Sequence, residues 1–140
     1  MNIITLDPTE LEPRQNYLLI LGMVVPRPIA MISTISADGS LNLAPFSFFQ
    51  AVSANPPGVI FSPTRDRHGQ IKHSLRNVQE SGEFVVAMVT EDMAEAMNFT
   101  SAEFPDGVSE FEQAGFTPAP SDIVKPRLVL ESPVNLECRV

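Results

Sequence analysis

Residues 28–49 read PIAMISTISADGSLNLAPFSFF, and this stretch decides the fold class. Two apolar runs flank Asp38 and Gly39, a pair that supplies the backbone angles of a tight β-hairpin. The predicted elements are a strand (residues 28–36), a turn (37–40) and a returning strand (41–49). Because proline has no backbone N–H, we expect the pairing to be broken or bulged at Pro45, inside the second strand.

Further strands are predicted beyond the hairpin. Residues 55–58, NPPG, predict a second turn. Apolar or alternating runs bounded by turn residues are typical of strands. Such runs occupy residues 59–62, 83–89, 127–130 and 134–140. With the hairpin, they amount to five to seven strands.

Short helices are predicted between these strands. An apolar segment predicts a helix over residues 17–25. Residues 71–81 carry apolar side chains at helical spacing, and Gly82 is placed to end that helix. Capping residues predict two more short helices, one after Thr90 and one after Ser109. Because strands and helices do not alternate regularly, the pattern indicates an α+β protein or a mainly-β barrel.

Composition narrows the class of protein. The 140 residues are 44% hydrophobic and 19% charged, values typical of a globular chain. This length predicts one domain, residues 1–140. No apolar run approaches the roughly 20 residues of a membrane span, and no signal peptide is evident. A single cysteine, Cys138, cannot form an internal disulfide, so we expect a cytoplasmic protein without a membrane partner.

Charge is spread unevenly along the chain. The formal net charge of −8 repels phosphate backbones and disfavours a nucleic-acid partner. Residues 80–122 hold ten acids and no base. Residues 61–79 hold one acid, Asp66, and six basic or imidazole side chains: Arg65, Arg67, His68, Lys72, His73 and Arg76. This basic stretch is a candidate anion site, and the alternative is a solvated helix face with counter-charges nearby.

The common catalytic motifs are absent from the sequence. It contains no Walker loop, no dinucleotide fingerprint and no nucleophile elbow. His68 and His73 are able to bind a metal with Asp66, but such residues in a basic stretch are more often simply solvated. Cys138 lies among apolar residues, which is more typical of a core position than of a nucleophile. We predict no catalytic side chain and no metal site.

Two segments combine residues in an unusual way. Arg27 stands between two prolines, which restrict the backbone that directs its side chain. Residues 42–49, NLAPFSFF, place the polar Asn42 and Ser47 among three phenylalanines. A bulged core strand explains the phenylalanines but not the polar residues, since buried polar groups need partners. A flat ligand with polar edges, lying on the backbone at a strand break, would supply them.

Five motifs follow one another along the chain. They are VVPRPIAMIST (residues 24–34), NLAPFSFF (42–49), KHSLRN (72–77), GEFVV (82–86) and SPVNLECR (132–139). In this order they resemble the flavin reductase-like family, in the branch that holds flavoredoxin and the reductase component of nitrilotriacetate monooxygenase. The resemblance covers residues 17–140 and implies an FMN-binding split β-barrel with short helices. Family members continue past the strand in which this chain stops, so we expect a C-terminally truncated member.

The resemblance also implies which residues bind FMN. Two segments line the isoalloxazine ring: Arg27, Pro28, Ile29, Ala30 and Met31, then Asn42, Leu43, Ala44, Pro45, Phe46 and Ser47. A strand end and a helix face the phosphate: Phe61 and Ser62, then Lys72, Ser74 and Asn77. This helix belongs to the basic stretch, and basic side chains and a helix N-terminus suit a phosphate.

The activity implied by the resemblance is that of an FMN-dependent oxidoreductase. NAD(P)H would reduce the flavin, and the reduced flavin would serve a monooxygenase or another electron acceptor. Split barrels of this kind are homodimers with flavin at the subunit interface. Two alternatives stay open: a flavoredoxin-like electron-transfer protein that uses no NAD(P)H, and a non-catalytic barrel that binds no flavin.

Overall fold

The computed structural model of the chain describes residues 3–63, 65, 69–105 and 107–140. Eight strands occur in this part of the chain. They are β1 (Ala30–Ile35), β2 (Leu41–Phe46), β3 (Phe49–Ala54), β4 (Pro57–Phe61), β5 (Glu83–Met88), β6 (Pro118–Ala119), β7 (Leu128–Val129) and β8 (Asn135–Arg139). A four-stranded antiparallel sheet has the order β2–β1–β5–β8, and β3–β4 and β6–β7 form two further pairs. The predicted mainly-β class is confirmed.

Short helices connect the strands. They are α1 (Pro13–Met23), α2 (His73–Ser81), α3 (Ala94–Phe99) and α4 (Glu110–Ala114), with single 3-10 turns at Pro8–Glu10 and Glu91–Met93. Within the described ranges, none of the helices has the length and apolar character needed to cross a membrane.

The predicted β1–β2 hairpin is confirmed. Gly39 has φ +90°, the left-handed conformation that the turn requires. The Ser36 N–H donates to the Ser40 carbonyl oxygen at 3.0 Å, which closes the turn. The Asp38 carboxylate accepts from the Ser40 N–H at 3.0 Å and from the Ser36 hydroxyl. These bonds lower the pKa of Asp38 to about 2, the Ser36 hydroxyl being the largest cause.

The predicted break or bulge at Pro45 is wrong. Pro45 lies opposite Met31, and the register runs without a shift along the whole β1–β2 pair. The Leu43 N–H donates to Glu110 Oε2 at 3.0 Å, so it points away from β1. Residues two apart in a strand direct their backbone nitrogens the same way. The Pro45 nitrogen therefore also points outward, where proline removes no ladder bond.

The returning strand is shorter than predicted, and a strand was missed. β2 ends at Phe46 rather than at residue 49, and β3 begins at Phe49 after a bend. β3 pairs with β4 across the turn predicted at residues 55–58, with a register shift between Ala51 and Ser53. The bulge is therefore in β3 and not at the proline.

Helix ends were predicted unevenly. Gly82, at φ +69°, ends α2 as expected. α1 begins at Pro13, earlier than predicted, because Glu12 and Gln15 form a capping box. Glutamate is not one of the usual N-cap residues, so the sequence did not indicate this helix start. Ser109 precedes α4, and Thr90 precedes a 3-10 turn, but neither side chain makes a capping hydrogen bond.

Two hydrophobic clusters cover the two faces of the central sheet, because successive residues of a strand face opposite sides. One cluster contains Met31, Leu43, Ala87, Met93, Phe111, Phe116 and Val129. The other contains Ala30, Ile32, Phe46, Val78, Phe84 and Val86. Helix α4 contributes to the first cluster and helix α2 to the second. Cys138 is half-buried against the second cluster, as predicted, and burial raises the pKa of its thiol.

Candidate functional site

A groove of about 390 Å³ lies against β2, one of the two edge strands of the central sheet. Its walls come from three places: β2 itself, the residues that lead into α2, and the segment that joins α3 to α4. The lining residues are Asn42, Ala44, Pro45, Arg65, Ile71, Lys72, His73, Ser74, Thr100, Ser101, Ala102, Glu103, Phe104 and Glu110. The groove therefore lies where the layers on the two faces of the sheet meet at its edge.

A buried hydrogen bond holds α2 against β2. Asn42 Nδ2 donates to Ser74 Oγ at 2.9 Å, and both side chains are buried. The sequence predicted that a ligand would supply the polar partner of Asn42, but Ser74 supplies it. Because Ser74 Oγ is the acceptor in this bond, the Ser74 hydroxyl can still donate its own proton to another group.

Basic side chains line the groove near the N-terminus of α2. Lys72 is the N-cap residue of this helix, and its Nζ lies 5.6 Å from the centroid of the Phe46 ring, a cation–π contact. Arg65 Nη1 donates to the Gly69 carbonyl oxygen at 2.8 Å. The first backbone N–H groups of a helix have no partner within it and carry positive partial charge. This end of the groove is thus suited to an anion.

Glu110 brings a carboxylate to the same groove. It is the first residue of α4, and 7% of its surface is exposed. Its Oε2 accepts the Leu43 N–H at 3.0 Å. Burial raises the pKa of Glu110, while the Leu43 N–H and the charge of His73 act in the opposite direction.

The predicted ring-contact residues do not all lie in the groove. Asn42, Ala44 and Pro45 line the groove. The side chains of Ala30, Met31, Leu43 and Phe46 lie in the hydrophobic core. None of these four residues lines the groove, and Ala30, Met31 and Leu43 are fully buried. Pro28 is exposed and Ile29 half-buried.

Arg27 is engaged within the protein. Its Nη1 donates to the carbonyl oxygens of Leu21 and Val24, both at 2.6 Å, and its Nε donates to Ser47 Oγ at 3.3 Å. Arg27 therefore ties the end of α1 to the bend after β2. Ser47, like Asn42, has a protein partner where the sequence predicted a ligand.

Of the predicted phosphate-contact residues, Lys72 and Ser74 line the groove. Asn77 lines an adjoining groove of about 200 Å³, and its Nδ2 donates to Thr34 Oγ1 at 3.1 Å. The Phe61 ring packs between Phe46 and Phe84, with centroid distances of 5.3 and 5.1 Å. Ser62 is exposed, and its N–H donates to the Phe48 carbonyl oxygen at 2.9 Å.

Sequence reasoning missed one wall of the groove. Residues 100–104 follow α3, where the sequence shows no motif. Thr100 Oγ1 and Ser101 Oγ donate to carbonyl oxygens at the end of α3, at 2.7 and 2.6 Å. These bonds fix the backbone where the segment leaves the helix. No signal identified Glu110 either, since acids in the first turn of a helix are usually exposed and merely favour its dipole.

Three residues of the basic stretch lie outside the described residues: Asp66, Arg67 and His68. The predicted metal alternative used His68 and Asp66, so it also falls outside the described part of the chain. Among the residues that the structure does describe, no group of three His, Cys, Asp or Glu side chains is arranged to hold a metal ion.

The donors of the groove fit a phosphorylated ligand. Lys72 and Arg65 provide positive charge, Ser74 provides a hydroxyl, and α2 provides N-terminal N–H groups. Charged donors and helix N-termini are the groups that bind phosphate oxygens best. The remaining lining includes apolar side chains suited to the faces of a planar ring: Ala44, Pro45, Ile71 and Phe104. Fold and groove together describe a mainly-β protein whose groove at the sheet edge combines basic donors with apolar walls.

The chain belongs to the flavin reductase-like family. The model of the flavin reductase like domain matches residues 22–140. An uncharacterised protein of Aquifex aeolicus is 48% identical over 124 residues, which are 89% of this chain and 63% of that protein. The chain thus spans somewhat less than two thirds of the length of this curated relative.

Solved structures show the same fold. Nitrilotriacetate monooxygenase component B from Bacillus cereus has a TM-score of 0.93 and 37% identity, over 99% of this chain and 68% of that one. A Shewanella frigidimarina protein described as a flavin reductase with split barrel domain has a TM-score of 0.79 and 25% identity, over 94% and 64%. Flavoredoxin of Desulfovibrio vulgaris, at 20% identity, has a TM-score of 0.74 over 83% and 61%. The predicted split barrel and family are confirmed.

Proposed function

We propose that this chain is an FMN-binding oxidoreductase of the flavin reductase type that takes electrons from NAD(P)H. The observation that carries the proposal is the set of phosphate donors at one end of the groove, next to apolar side chains along β2. Family membership supports flavin as the ligand, and the donor set supports the phosphorylated form, FMN. When bound, the flavin accepts a hydride and passes electrons on.

In this proposal the chain binds and orients the cofactor. Lys72 and the N-terminus of α2 hold the phosphate, and Ser74 donates its hydroxyl proton to a phosphate oxygen. The Asn42–Ser74 bond fixes that hydroxyl relative to β2. Ala44 and Pro45 offer an apolar strand edge for the ring and exclude water there. No acid or base side chain is required for hydride transfer.

We also propose a cytoplasmic homodimer whose reduced flavin serves a monooxygenase or another electron acceptor. The similarity to a protein named as a monooxygenase component supports such an acceptor. Homodimerisation is supported by exposed apolar side chains on α1 and on the β3–β4 hairpin. Electron transfer without NAD(P)H, as in a flavoredoxin, is the alternative that the test below distinguishes.

The activity is tested by absorbance spectroscopy of the purified protein with FMN under nitrogen. We expect the visible absorption band of the oxidised flavin to bleach on addition of NADH or NADPH, because hydride transfer reduces the flavin. Bound FMN that neither nucleotide reduces would favour the electron-transfer alternative. Protein that does not bind FMN at all would contradict the proposal.

The phosphate assignment is tested by Lys72→Ala. Loss of one charge-assisted contact is worth about 1.5–3 kcal/mol, so we expect FMN affinity to fall roughly 10- to 100-fold. Riboflavin lacks the phosphate, and its affinity should change little. Lys125→Ala is the matched control, because Lys125 is exposed and lies outside the groove. An equal loss of FMN and riboflavin affinity would contradict the assignment.

A further inference from the structure

Glu110 stands out in the wall of the groove because it is acidic and buried. Its neighbour in sequence on α4, Glu112, is exposed, as glutamates usually are. Transferring a carboxylate out of water is costly unless it is paired and hydrogen-bonded. Glu110 accepts a hydrogen bond from the Leu43 N–H at 3.0 Å, and its electrostatic interaction with His73 favours the ionised carboxylate.

The hydrogen bond to β2 does not by itself explain a carboxylate. The outward Leu43 N–H needs an acceptor, and the neutral amide of a glutamine at position 110 would serve equally well. The hydrogen bond to Leu43 therefore does not require a negative charge, which the N-terminus of α4 and His73 stabilise. This charge lies in a groove where Lys72 and Arg65 otherwise favour anions.

A bound anion changes the balance of charge around Glu110. A phosphate carries about −1.5 to −2 charge at neutral pH. Charges interact over the Debye length, about 8 Å at physiological ionic strength. The cube root of the groove volume, about 390 Å³, is a similar length, so a phosphate in the groove acts on Glu110. A like charge nearby disfavours the ionised form of a carboxyl group. Filling the groove with a phosphate therefore promotes protonation of Glu110.

We propose that Glu110 takes up a proton from solvent when a phosphate-bearing flavin enters the groove, so that this carboxyl couples ligand binding to pH. The proposal rests on the proposed function, since it takes the flavin phosphate as the anion. The carboxylate and one solvent proton give a neutral carboxylic acid, and the other carboxyl oxygen continues to accept the Leu43 N–H. The cations then meet the phosphate without a competing negative charge.

The direction of the Glu110 pKa agrees with this role. Burial already raises it above the ordinary value of 4.5, so less work is needed to protonate this carboxyl than an exposed one. Other titratable or charged groups lie on the helices and segments around it. They are His73 and Lys72 at the start of α2, Arg65 before it, Glu95 on α3, Glu103 in the following segment and Glu112 on α4. Strands β1 and β2 contribute none, and Asp106 is outside the described residues.

The expected sign follows from linkage. If binding takes up protons, FMN affinity falls as pH rises, by at most about tenfold per pH unit for one proton. Riboflavin has no phosphate and should bind without this dependence on Glu110. The effect belongs to the pH range between the pKa of Glu110 in the free protein and its higher value with FMN bound.

The experiment is titration calorimetry of FMN at pH 6 in buffers of different ionisation enthalpy, which counts the protons taken up. The variant is Glu110→Gln, which keeps an acceptor for the Leu43 N–H. Glu112→Gln is the matched control, because it removes the same charge from the same helix at an exposed position. Imidazoles and the flavin phosphate also exchange protons near pH 6. The decisive quantity is therefore the difference between variants.

We expect the wild-type protein and Glu112→Gln to take up equal numbers of protons, and Glu110→Gln to take up fewer. Equal uptake by all three proteins, with FMN bound, would overturn the inference and leave the proposed function intact. Absence of FMN binding by the wild-type protein would overturn both. Should Glu110→Gln not fold, ¹³C NMR of the wild-type glutamate carboxyls decides: FMN must shift the titration of one buried carboxyl to higher pH, and unchanged titration contradicts the inference.

Discussion

Asn77 joins the helix that lines the groove to the centre of the sheet. Its Nδ2 donates to Thr34 Oγ1 at 3.1 Å, and the two residues are 4% and 0% exposed. Both partners are inaccessible to water, so neither can replace the lost bond by hydration. This contact and the Asn42–Ser74 bond set the position of α2 on β1 and β2.

Replacing Asn77 by alanine should therefore destabilise the fold. Leaving the buried Thr34 hydroxyl without this donor costs about 1–3 kcal/mol, and we expect the free energy of unfolding in urea to fall by that amount. Gln79→Ala, at an exposed position of the same helix, is the control and should change stability by less than about 0.5 kcal/mol. Equal effects of the two substitutions would show that the Asn77–Thr34 bond does not stabilise α2.

Arg27 shows why a motif residue need not face a ligand through its side chain. The sequence singled it out because two prolines flank it. The structure commits its guanidinium to two carbonyl oxygens at the end of α1 and to Ser47. Contact between Arg27 and FMN stays a prediction. The hydrogen bonds of Arg27 connect the end of α1 to the bend after β2.

Strand β8 holds the segment before β7 through one carboxylate. Glu137 accepts the N–H groups of Asp122, Ile123 and Val124 at 3.1, 2.6 and 3.0 Å. These bonds, led by that from Ile123, lower the pKa of Glu137. On the neighbouring strand, Glu83 accepts the Lys125 N–H at 3.0 Å. Residues 122–125 are thus fixed by side chains of β5 and β8 and not by backbone hydrogen bonds to a neighbouring strand.

Glu137→Ala should release this segment without unfolding the sheet. We expect faster amide hydrogen exchange at residues 122–124, measured by mass spectrometry, and unchanged exchange in β1. Because the pKa of Glu137 is lowered in the folded state, its contribution is present above the ordinary value of 4.5 and is lost as pH falls through the lowered value. Glu112→Ala serves as the control, and equal exchange at residues 122–124 in both variants would contradict the role of Glu137.

At the scale of the whole molecule, two elements are poorly covered. Helix α1 has no buried residue although it carries the exposed apolar side chains Leu18, Ile20 and Met23. Strand β3 is exposed along nearly its whole length, and Ile60 on β4 is 56% exposed. Large exposed apolar surfaces on a folded chain mark interaction sites. The proposed homodimer would cover them, although a net charge of −8 opposes self-association.

Ile60→Glu should therefore weaken the proposed dimer. A charge placed in an apolar interface must be desolvated, so we expect the molar mass from light scattering to shift toward that of a monomer across a concentration series. Ile123→Glu is the matched control, because Ile123 is 60% exposed and lies in the segment fixed by Glu137. A wild-type protein that is monomeric at all concentrations would contradict the homodimer, and an equal effect of both substitutions would contradict this location for it.

Local sequence patterns predicted most elements of the barrel. The β1–β2 turn, the end of α2 at Gly82 and the strands β5 and β8 depend on residues close together in the chain, such as the Asp38–Gly39 pair. Strand β3 was missed because an apolar run across Phe46 and Phe49 hides the bend between them. The turn at residues 55–58 was the available signal for β3, because a strand that follows a tight turn commonly pairs with the segment before it.

The groove depended on contacts that no local pattern contains. Its basic end was predictable, since Lys72 and Ser74 share one helix start with the basic stretch. Glu110 and residues 100–104 were not, because they reach β2 only when α4 packs on the sheet. The same packing explains why Pro45 causes no bulge: at the sheet edge its nitrogen faces outward. Periodicity and turn chemistry thus determined the elements, whereas the choice of edge strand, and with it the burial of Glu110, arose from long-range packing.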